Sequence, residues 1–418
     1  MPPFLIAAAG RGGLKTLLCA LVTLNPLSMH AVGAGQEGLI LRAERVIDGR
    51  GNVLENRDIA VREGAIADIS AHHPDSVFDY DLTGLTVLPG LIDTHVHIGW
   101  HFDADGRLHD DDDEPGEVSA LYAAENAYAT LMAGVTTVQS LGSPVDQHIR
   151  DAIARGSLPG PRILTSLRSV NVRTGSPDDI RTFVGAQKTG GADVIKIFGS
   201  ASIRDGGKPT MSQEQLDAAC GEAKALGLRA VVHAHGPESA RRSVLAGCTT
   251  IEHGALLDRK VMSLMAERGV YFDPNTHLIF QNYFDNKARY LGIGNYNDEG
   301  FRQMELAVPS VLEVFKQGLE IPGLKMVFGT DAVAGAHGNN VEELIYRVQT
   351  GGQDPHQAIL SATSLAAESL ELGDAIGALE KGMAADLIAV DGNPLDDITA
   401  LRRVVFVMKD AKVVKNQR

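Results

Sequence analysis

Two histidines separated by one residue, His95 and His97, end the apolar segment 91–97 that follows the turn signal Pro89-Gly90. In an extended strand, residues two apart point to the same face, so the two imidazoles project side by side. Such a pair suits a metal ion held through neutral ring nitrogens. It equally suits a strand end with two solvated or hydrogen-bonded histidines, so the rest of the chain must decide.

Further ligand-type residues end the later apolar segments. For each of them a role other than metal binding is possible: Lys196 can extend its amine to solvent, a histidine can be a core residue, and Asp331 can cap a helix. Catalytic side chains of a β/α barrel come from the carboxyl ends of its strands, so their recurrence there favours one shared site. The residues are Lys196, His233, His235, His253 and Asp331.

Lys196 differs from the other members of this set. A protonated lysine repels cations, and burial would depress its pKa. A neutral amine can react with carbon dioxide to give a carbamate, which is an anionic group able to bridge two metals.

The elements that position these residues alternate between strand and helix. Helices are predicted at 118–133 and 212–226, the second with a capping box at Ser212 and Gln215 and a stop at Gly227. Eight strands over about 250 residues have the rhythm of a (β/α)8 barrel. A doubly wound open sheet is the alternative, but no G-x-G-x-x-G follows the first strand. The predicted strands are 91–97, 136–140, 162–166, 192–198, 229–235, 249–253, 270–275 and 325–331.

Both ends of the remaining chain have the pattern of short strands and turns, at 39–88 and 386–414. They predict a small β-sandwich domain built from both termini. The predicted organisation is a signal peptide at 1–34, an N-terminal β-sandwich segment at 35–88, the barrel at 89–372 and a C-terminal β-sandwich segment at 373–418.

The first residues have the pattern of a secretory leader. Arg11 and Lys15 precede an apolar run at 17–24, and 32–34 is a small-residue cleavage site. A frayed N-terminal helix is the alternative. Cys19 follows a leucine, so no lipid anchor is predicted. We expect an exported protein, periplasmic or secreted.

The composition of the chain indicates which classes of partner are disfavoured and what role the cysteines have. With 38 basic and 53 acidic residues the formal charge is −15, which disfavours nucleic acid and anionic membranes as partners. We expect a homo-oligomer. Cys220 and Cys248 do not amount to a disulfide framework, and Cys220 is interpreted as a small core residue. The acidic run 110–114 is interpreted as a solvated loop, with an extra metal site as the alternative.

Taken together, the motifs over roughly residues 38–415 resemble the amidohydrolase superfamily. Within it the chain is similar to the metallopeptidase-like branch related to imidazolonepropionase, with dipeptidases, N-acyl-amino-acid hydrolases and ochratoxin-hydrolysing enzymes. One departure is Gln139-Ser140, where many relatives carry Arg-Asp. The motifs are Pro-Gly-Leu-Ile-Asp-x-His-x-His at 89–97, Val-Ile-Lys-Ile at 194–197, His-Ala-His at 233–235, Ile-Glu-His-Gly at 251–254, Gly-Thr-Asp at 329–331 and Gly-x-x-Ala-Asp-Leu at 382–387.

The resemblance implies two divalent ions, expected to be Zn²⁺. His95, His97 and Asp331 would bind the first. His233 and His253 would bind the second, with carboxylated Lys196 and a hydroxide bridging the two. The hydroxide would attack the amide carbon, and Asp331 would pass its proton to the leaving nitrogen.

Three further residues are candidate substrate contacts. His235 faces the same way as His233 and is assigned to a substrate carboxylate or the oxyanion, with a structural role as the alternative. Arg204 and His337 lie on loops after strand ends and are candidate substrate-binding residues.

The predicted function is a secreted amide hydrolase acting on dipeptides or N-acyl amino acids, ochratoxin-type amides included. A cyclic-amide (lactam or imide) hydrolase on the same barrel is the alternative. A non-catalytic assembly protein is a third possibility, but such a protein has no reason to keep all six candidate metal ligands.

Overall fold

The computed structural model describes residues 38–73, 75, 77–109 and 114–418. The predicted leader at 1–34 and the acidic residues 110–113 lie outside these ranges. The strands are β1 Leu39–Ile47, β2 Val53–Arg62, β3 Ala65–Ala71, β4 Tyr80–Pro89, β5 Leu91–Val96, β6 Val135–Ser140, β7 Arg162–Thr165, β8 Val194–Phe198, β9 Arg229–Ala234, β10 Thr250–His253, β11 Tyr271–Asp273, β12 Leu387–Asp391, β13 Val404–Lys409 and β14 Lys412–Asn416.

Helices follow most of the strands of the middle region, and short 3₁₀ turns lie at Val172–Thr174, Ile203–Asp205 and Ile398–Arg402. Among the described residues no helix has both the length and the apolar character needed to cross a bilayer. The helices are α1 Gly116–Met132, α2 Val145–Ala154, α3 Pro177–Thr189, α4 Gln213–Ala225, α5 Pro237–Leu245, α6 Arg259–Arg268, α7 Leu278–Asp285, α8 Lys287–Tyr290, α9 Asp298–Leu319, α10 Val341–Gln349, α11 Pro355–Ser361 and α12 Ser364–Ser369.

Strands β5 to β11 form the barrel as two parallel sheets, in the orders β5-β6-β7 and β8-β9-β10-β11. Every residue of β5, β6 and β9 is buried, as expected for parallel strands covered on both faces. A parallel bridge between Val170 and Ile197 joins the first sheet to the second. The first seven predicted strands are therefore present, with ends that differ by at most two residues.

The eighth predicted strand, 325–331, is not a regular strand but closes the barrel. On one side Phe272 donates to the carbonyl of Lys325 at 2.9 Å, and on the other Thr94 donates to the carbonyl of Phe328 at 2.9 Å. Parallel bridges, Phe272 with Met326 and Val96 with Ala332, lie on the same two sides. The middle of the chain is thus a (β/α)8 barrel, as predicted, with an irregular eighth segment.

Local signals in the sequence place the helices correctly. The α4 helix begins with the predicted capping box. The Ser212 hydroxyl accepts from the backbone amide of Gln215, and the Gln215 side chain accepts from the backbone amide of Ser212. Gly227 follows it at a φ of +67°, a conformation that glycine adopts without a Cβ clash.

The two termini combine into one seven-stranded sheet of order β14-β13-β12-β4-β1-β2-β3. β4 pairs antiparallel with β12, so that Leu88 lies opposite Ile388. The sheet turns back on itself where Ala65 bridges Ala384, and it encloses its own apolar core. This is the predicted β-sandwich.

Cys220 and Cys248 form a disulfide between α4 and the turn before β10. Both are buried, so Cys220 is a core residue as interpreted, and the single bridge between the two cysteines is a feature that the sequence analysis did not predict. The sequence separation of 28 gives no local signal for the pairing, because the two positions meet only when α4 and α5 pack on the barrel.

The segment after β5 and the helices α7 to α9 form a cap at one end of the barrel. Their apolar side chains share one cluster, with Phe102 and Leu108 from the first segment and Tyr283, Tyr290 and Phe301 from the helices. This cap encloses the space above the strand ends where the candidate ligands lie.

Candidate metal centre

The two histidines that end β5 meet the aspartate that follows the eighth segment. One Asp331 carboxylate oxygen, Oδ1, lies 3.0 Å from Nε2 of His97 and 3.3 Å from Nε2 of His95. The ligand atoms of the three residues all lie within 4.8 Å of one another. The geometry leaves room for one ion contacted by two imidazoles and a carboxylate.

The ring of His95 is oriented by Glu252, a residue that the sequence reasoning missed. Nδ1 of His95 donates to Oε2 of Glu252 at 2.8 Å, and both side chains are fully buried. Burial lowers the pKa of His95 well below its usual value, so the ring is neutral and its Nε2 lone pair faces Asp331. A carboxylate behind a ligating histidine is the usual way to fix its tautomer.

A second carboxyl, Asp273 at the end of β11, lies beside Glu252. Burial raises the pKa of Asp273 well above its usual range and that of Glu252 to about 7. Thr94 and Asn275 donate to Asp273 at 3.2 and 3.1 Å. Two neighbouring buried carboxyls that resist double ionisation share a proton more readily than they hold two charges. The signal that could have found Asp273 was its place at a strand end.

Lys196 extends from β8 into the same space. Its side chain is fully enclosed, with Nζ 3.1 Å from Nε2 of His95. Burial lowers the pKa of Lys196, although the carboxylates of Glu252 and Asp331 oppose the shift. Because a neutral amine is the form that reacts with carbon dioxide, this environment fits the proposed carbamate.

Three more histidines stand on the other side of the centre. The ring centroids of His233 and His253 are 4.5 Å apart, and that of His235 is 4.5 Å from His233. Burial lowers the pKa of all three, that of His235 to about 3. His253 also approaches Asp331, with 3.9 Å between Nδ1 and Oδ2.

Two of these residues have left-handed backbone conformations. The φ angle is +68° at His253 and +53° at Asp331. Consecutive residues of a regular strand point to opposite faces, yet Glu252 and His253 both approach His95. The left-handed turn at His253 resolves this conflict, and backbone strain of this kind concentrates at functional sites.

Above the centre lies a cavity lined by side chains of the strand ends and of the cap. Arg204 extends into it, with its guanidinium carbon 3.9 Å from the ring centroid of Tyr296 and its Nε donating to Asn295 at 2.8 Å. Among the described residues no carboxylate forms an ion pair with Arg204. Other side chains that line the cavity are Trp100, Phe198, His235, Phe280, Tyr283 and Met304.

The structure brings together most of the residues selected from the sequence. His95, His97, Lys196, His233, His253 and Asp331 all line this cavity, together with His235 and Arg204. His337 does not line it; its ring lies beside His97 and the backbone of Trp100, and burial lowers its pKa to about 4. A substrate contact for His337 stays a prediction.

A barrel that gathers neutral imidazoles, a buried amine and a carboxylate at its strand ends defines a metal-dependent hydrolase. The chain belongs to the amidohydrolase family, whose sequence pattern matches residues 86–415. It is a hydrolase acting on amide C–N bonds. The donor set fits divalent metals, because burial holds the imidazoles of His95, His233 and His253 neutral.

Individual relatives extend along the whole described chain. Ochratoxinase from Aspergillus niger is 26% identical over 425 residues, covering 90% of this chain and 86% of the relative. The solved structure of a Xaa-Pro dipeptidase with methionine bound in its active site is 32% identical, covers 91% and 100% of the two chains, and has a TM-score of 0.81. A putative prolidase from Bifidobacterium longum is 28% identical, covers 91% and 96%, and has a TM-score of 0.77.

Proposed function

We propose that this protein is an exported, two-zinc hydrolase that cleaves the amide bond of dipeptides or N-acyl amino acids, ochratoxin-type amides included. The observation that carries the proposal is the cavity itself. A candidate metal centre forms its floor, and Arg204, a cation without an ion-pair partner among the described residues, lies in its wall. Relatives named as a dipeptidase and an ochratoxinase support the same substrate class.

The donors divide into two groups. His95, His97 and Asp331 would hold one ion and His233 and His253 the other, with carboxylated Lys196 between them. When bound, two such ions activate water as a nucleophile and polarise the scissile carbonyl. Asp331 is suited to accepting a proton because it is ionised near neutral pH. Burial raises its pKa, but His95 and His97 lower the pKa by more, so that the net shift is downward.

The substrate carboxylate would contact Arg204. A charged hydrogen bond is favoured here, because the neighbouring Tyr283 and Tyr296 rings exclude water from the guanidinium. His235 lies between this cation and the metal ligands, and its buried Nδ1 has no hydrogen-bond partner. Its place suits the oxyanion or the nearer end of the substrate carboxylate.

Two features of the chain support export. The leader pattern at 1–34 supports it, and so does the Cys220–Cys248 bridge, since disulfides persist mainly in oxidising compartments. The expected homo-oligomer stays a prediction.

Cyclic-amide hydrolysis is the alternative on the same barrel. A dihydroorotase from Anaeromyxobacter dehalogenans is 26% identical over 198 residues, but it covers only 47% of this chain and 41% of the relative. The cavity favours the linear substrate, because Arg204 lies where a free carboxylate would reach it.

The test is a substrate screen with zinc-reconstituted protein and identification of the products. The panel contains dipeptides and N-acyl amino acids as free acids, the same compounds as C-terminal carboxamides, and lactams and cyclic imides. We expect cleavage of the free acids at the amide bond. Turnover of lactams and imides alone would contradict the proposal and support the alternative.

The variant Arg204→Met tests the carboxylate contact. A hydrogen bond to a charged group is worth about 1.5–3 kcal/mol, so KM for free acids should rise by roughly 10- to 150-fold. KM for the carboxamides should change little. Arg173→Met, on an exposed arginine, is the matched control. Equal KM values for the free acids in both variants would remove Arg204 from the proposal.

A further inference from the structure

A second group of metal-ligating side chains lies outside the cavity. It consists of His101, His109 and Glu114, whose ligand atoms all lie within 4.8 Å of one another. Nε2 of His101 and Nε2 of His109 lie 3.1 and 3.9 Å from the same oxygen, Oε2 of Glu114. None of the three lines the cavity of the metal centre, so this is a separate cluster.

Backbone pairing brings the two histidines together. Phe102 bridges Leu108, and the amide of His109 donates to the carbonyl of His101 at 3.1 Å. The segment from 101 to 109 is therefore a hairpin with a histidine at each end, and the two rings are parallel with centroids 5.0 Å apart. The cluster is a built arrangement and not a chance meeting of solvated side chains.

The neighbours of the cluster hold its side chains in place. Nδ1 of His101 lies 2.9 Å from the carbonyl of Gly99, which orients the ring so that Nε2 faces Glu114. The hydroxyl of Ser119 donates to Oε2 of Glu114 at 2.7 Å. The ring of Tyr122 stacks on His101 at 4.1 Å. Hydrogen bonds that fix tautomer and orientation in this way are characteristic of metal ligands.

We propose that His101, His109 and Glu114 form a further binding site for a divalent transition metal of the zinc class. Two imidazoles and a carboxylate are a common zinc donor set, with a fourth position for another ligand. Donors of a tetrahedral ion with bonds near 2.1 Å lie roughly 3.4 Å apart, and the observed 3.1 and 3.9 Å lie on either side of that separation.

An ion at this site would tie the hairpin to the barrel. Glu114 immediately precedes α1, whereas the two histidines belong to the segment that leaves β5. Trp100 is adjacent to His101 and lines the substrate cavity. The site therefore has a structural role, holding the wall of the cavity that Trp100 forms.

The first experiment compares metal content in the full chain. After loading with Zn²⁺ and removal of free ion, elemental analysis should give one equivalent less in His109→Gln and in Glu114→Gln than in the wild type. Glu114→Gln keeps an oxygen that accepts from Ser119, so it preserves the fold if His109→Gln does not. The controls are His148→Gln on α2 and Glu125→Gln on α1, which are exposed and should match the wild type.

The second readout is fluorescence, because Trp100 is the only tryptophan of the chain. Titrating the metal-free protein with Zn²⁺ should give a fluorescence phase in the wild type that is missing in both variants and present in both controls. Equal metal content together with identical titrations in all proteins would show that the cluster is only an ion pair between histidine and glutamate, and would overturn the site. The difference of one equivalent holds whatever number of ions the main centre binds.

Discussion

Replacing Glu252 with glutamine tests how the main centre is organised. The glutamine oxygen can still accept from Nδ1 of His95, so the shape of the pair is retained while its negative charge is lost. Both partners are fully buried, and the bond between them is 2.8 Å long. Because no water reaches the pair, solvent cannot compensate for the lost charge. The loss should therefore weaken metal binding at Nε2 of His95.

The size of the effect follows from that geometry. Removing a hydrogen-bonding partner behind a ligating histidine typically weakens metal binding by about 10- to 100-fold. This corresponds to roughly 1.4–2.7 kcal/mol of metal-binding free energy. A charged hydrogen bond exceeds a neutral one by about 1–1.5 kcal/mol, which places the expected loss near the lower end of this interval.

The assay is Zn²⁺ binding at equilibrium, measured in competition with a chelator of known affinity. Glu125→Gln, exposed on α1, is the control for a change of net charge. Circular dichroism and unfolding midpoints of the metal-free proteins show whether the fold is retained. If Glu252→Gln binds every equivalent as tightly as the control does, His95 is not oriented for a metal by this carboxylate, and the reasoning fails.

Three other variants probe the remaining regions of the molecule. Lys196→Ala should lower the zinc content by one equivalent relative to the wild type because the bridging group is lost; equal zinc content in the two proteins would reject the bridge. Asp331→Asn should reduce kcat by about 100-fold or more in protein that retains its metals, and near-normal turnover would reject a role in proton transfer. Cys220→Ala with Cys248→Ala opens a loop with a sequence separation of 28 residues, which lowers the free energy of unfolding by about 3–4 kcal/mol. Urea unfolding of the wild type in reductant should match this double variant, and an unchanged midpoint would refute the contribution of the bridge.

The sequence determined the local features of the site. His95 and His97 point to the same face because strand side chains alternate, and this holds wherever the strand lies in the fold. Strand ends are likewise local, since turns and apolar runs mark them, and in a barrel they all lead to one face. For this reason the residues of the cavity floor could be selected before their neighbours were known.

The residues that orient the ligands could not be selected in this way. His95 and Glu252 are separated by 157 positions, and although Glu252 directly precedes the selected His253, the local sequence does not show that its side chain reaches His95. Arg204 and the Tyr296 ring against which it packs come from two separate loops. Such pairs depend on how the barrel closes, and contacts between distant residues leave no periodic signal in the chain.

Three further features depend on the tertiary structure and were not predicted from local sequence patterns. Residues 325–331 close the barrel through bonds on both sides although they form no regular strand. Cys220 and Cys248 pair because α4 packs beside α5. Glu114 belongs to the acidic run that was interpreted as a solvated loop, but it is partly buried beside His101. The sequence determined which side chains have the chemistry for a metal centre, while packing decided which of them meet, because distances between remote residues are fixed only when the strands and helices assemble.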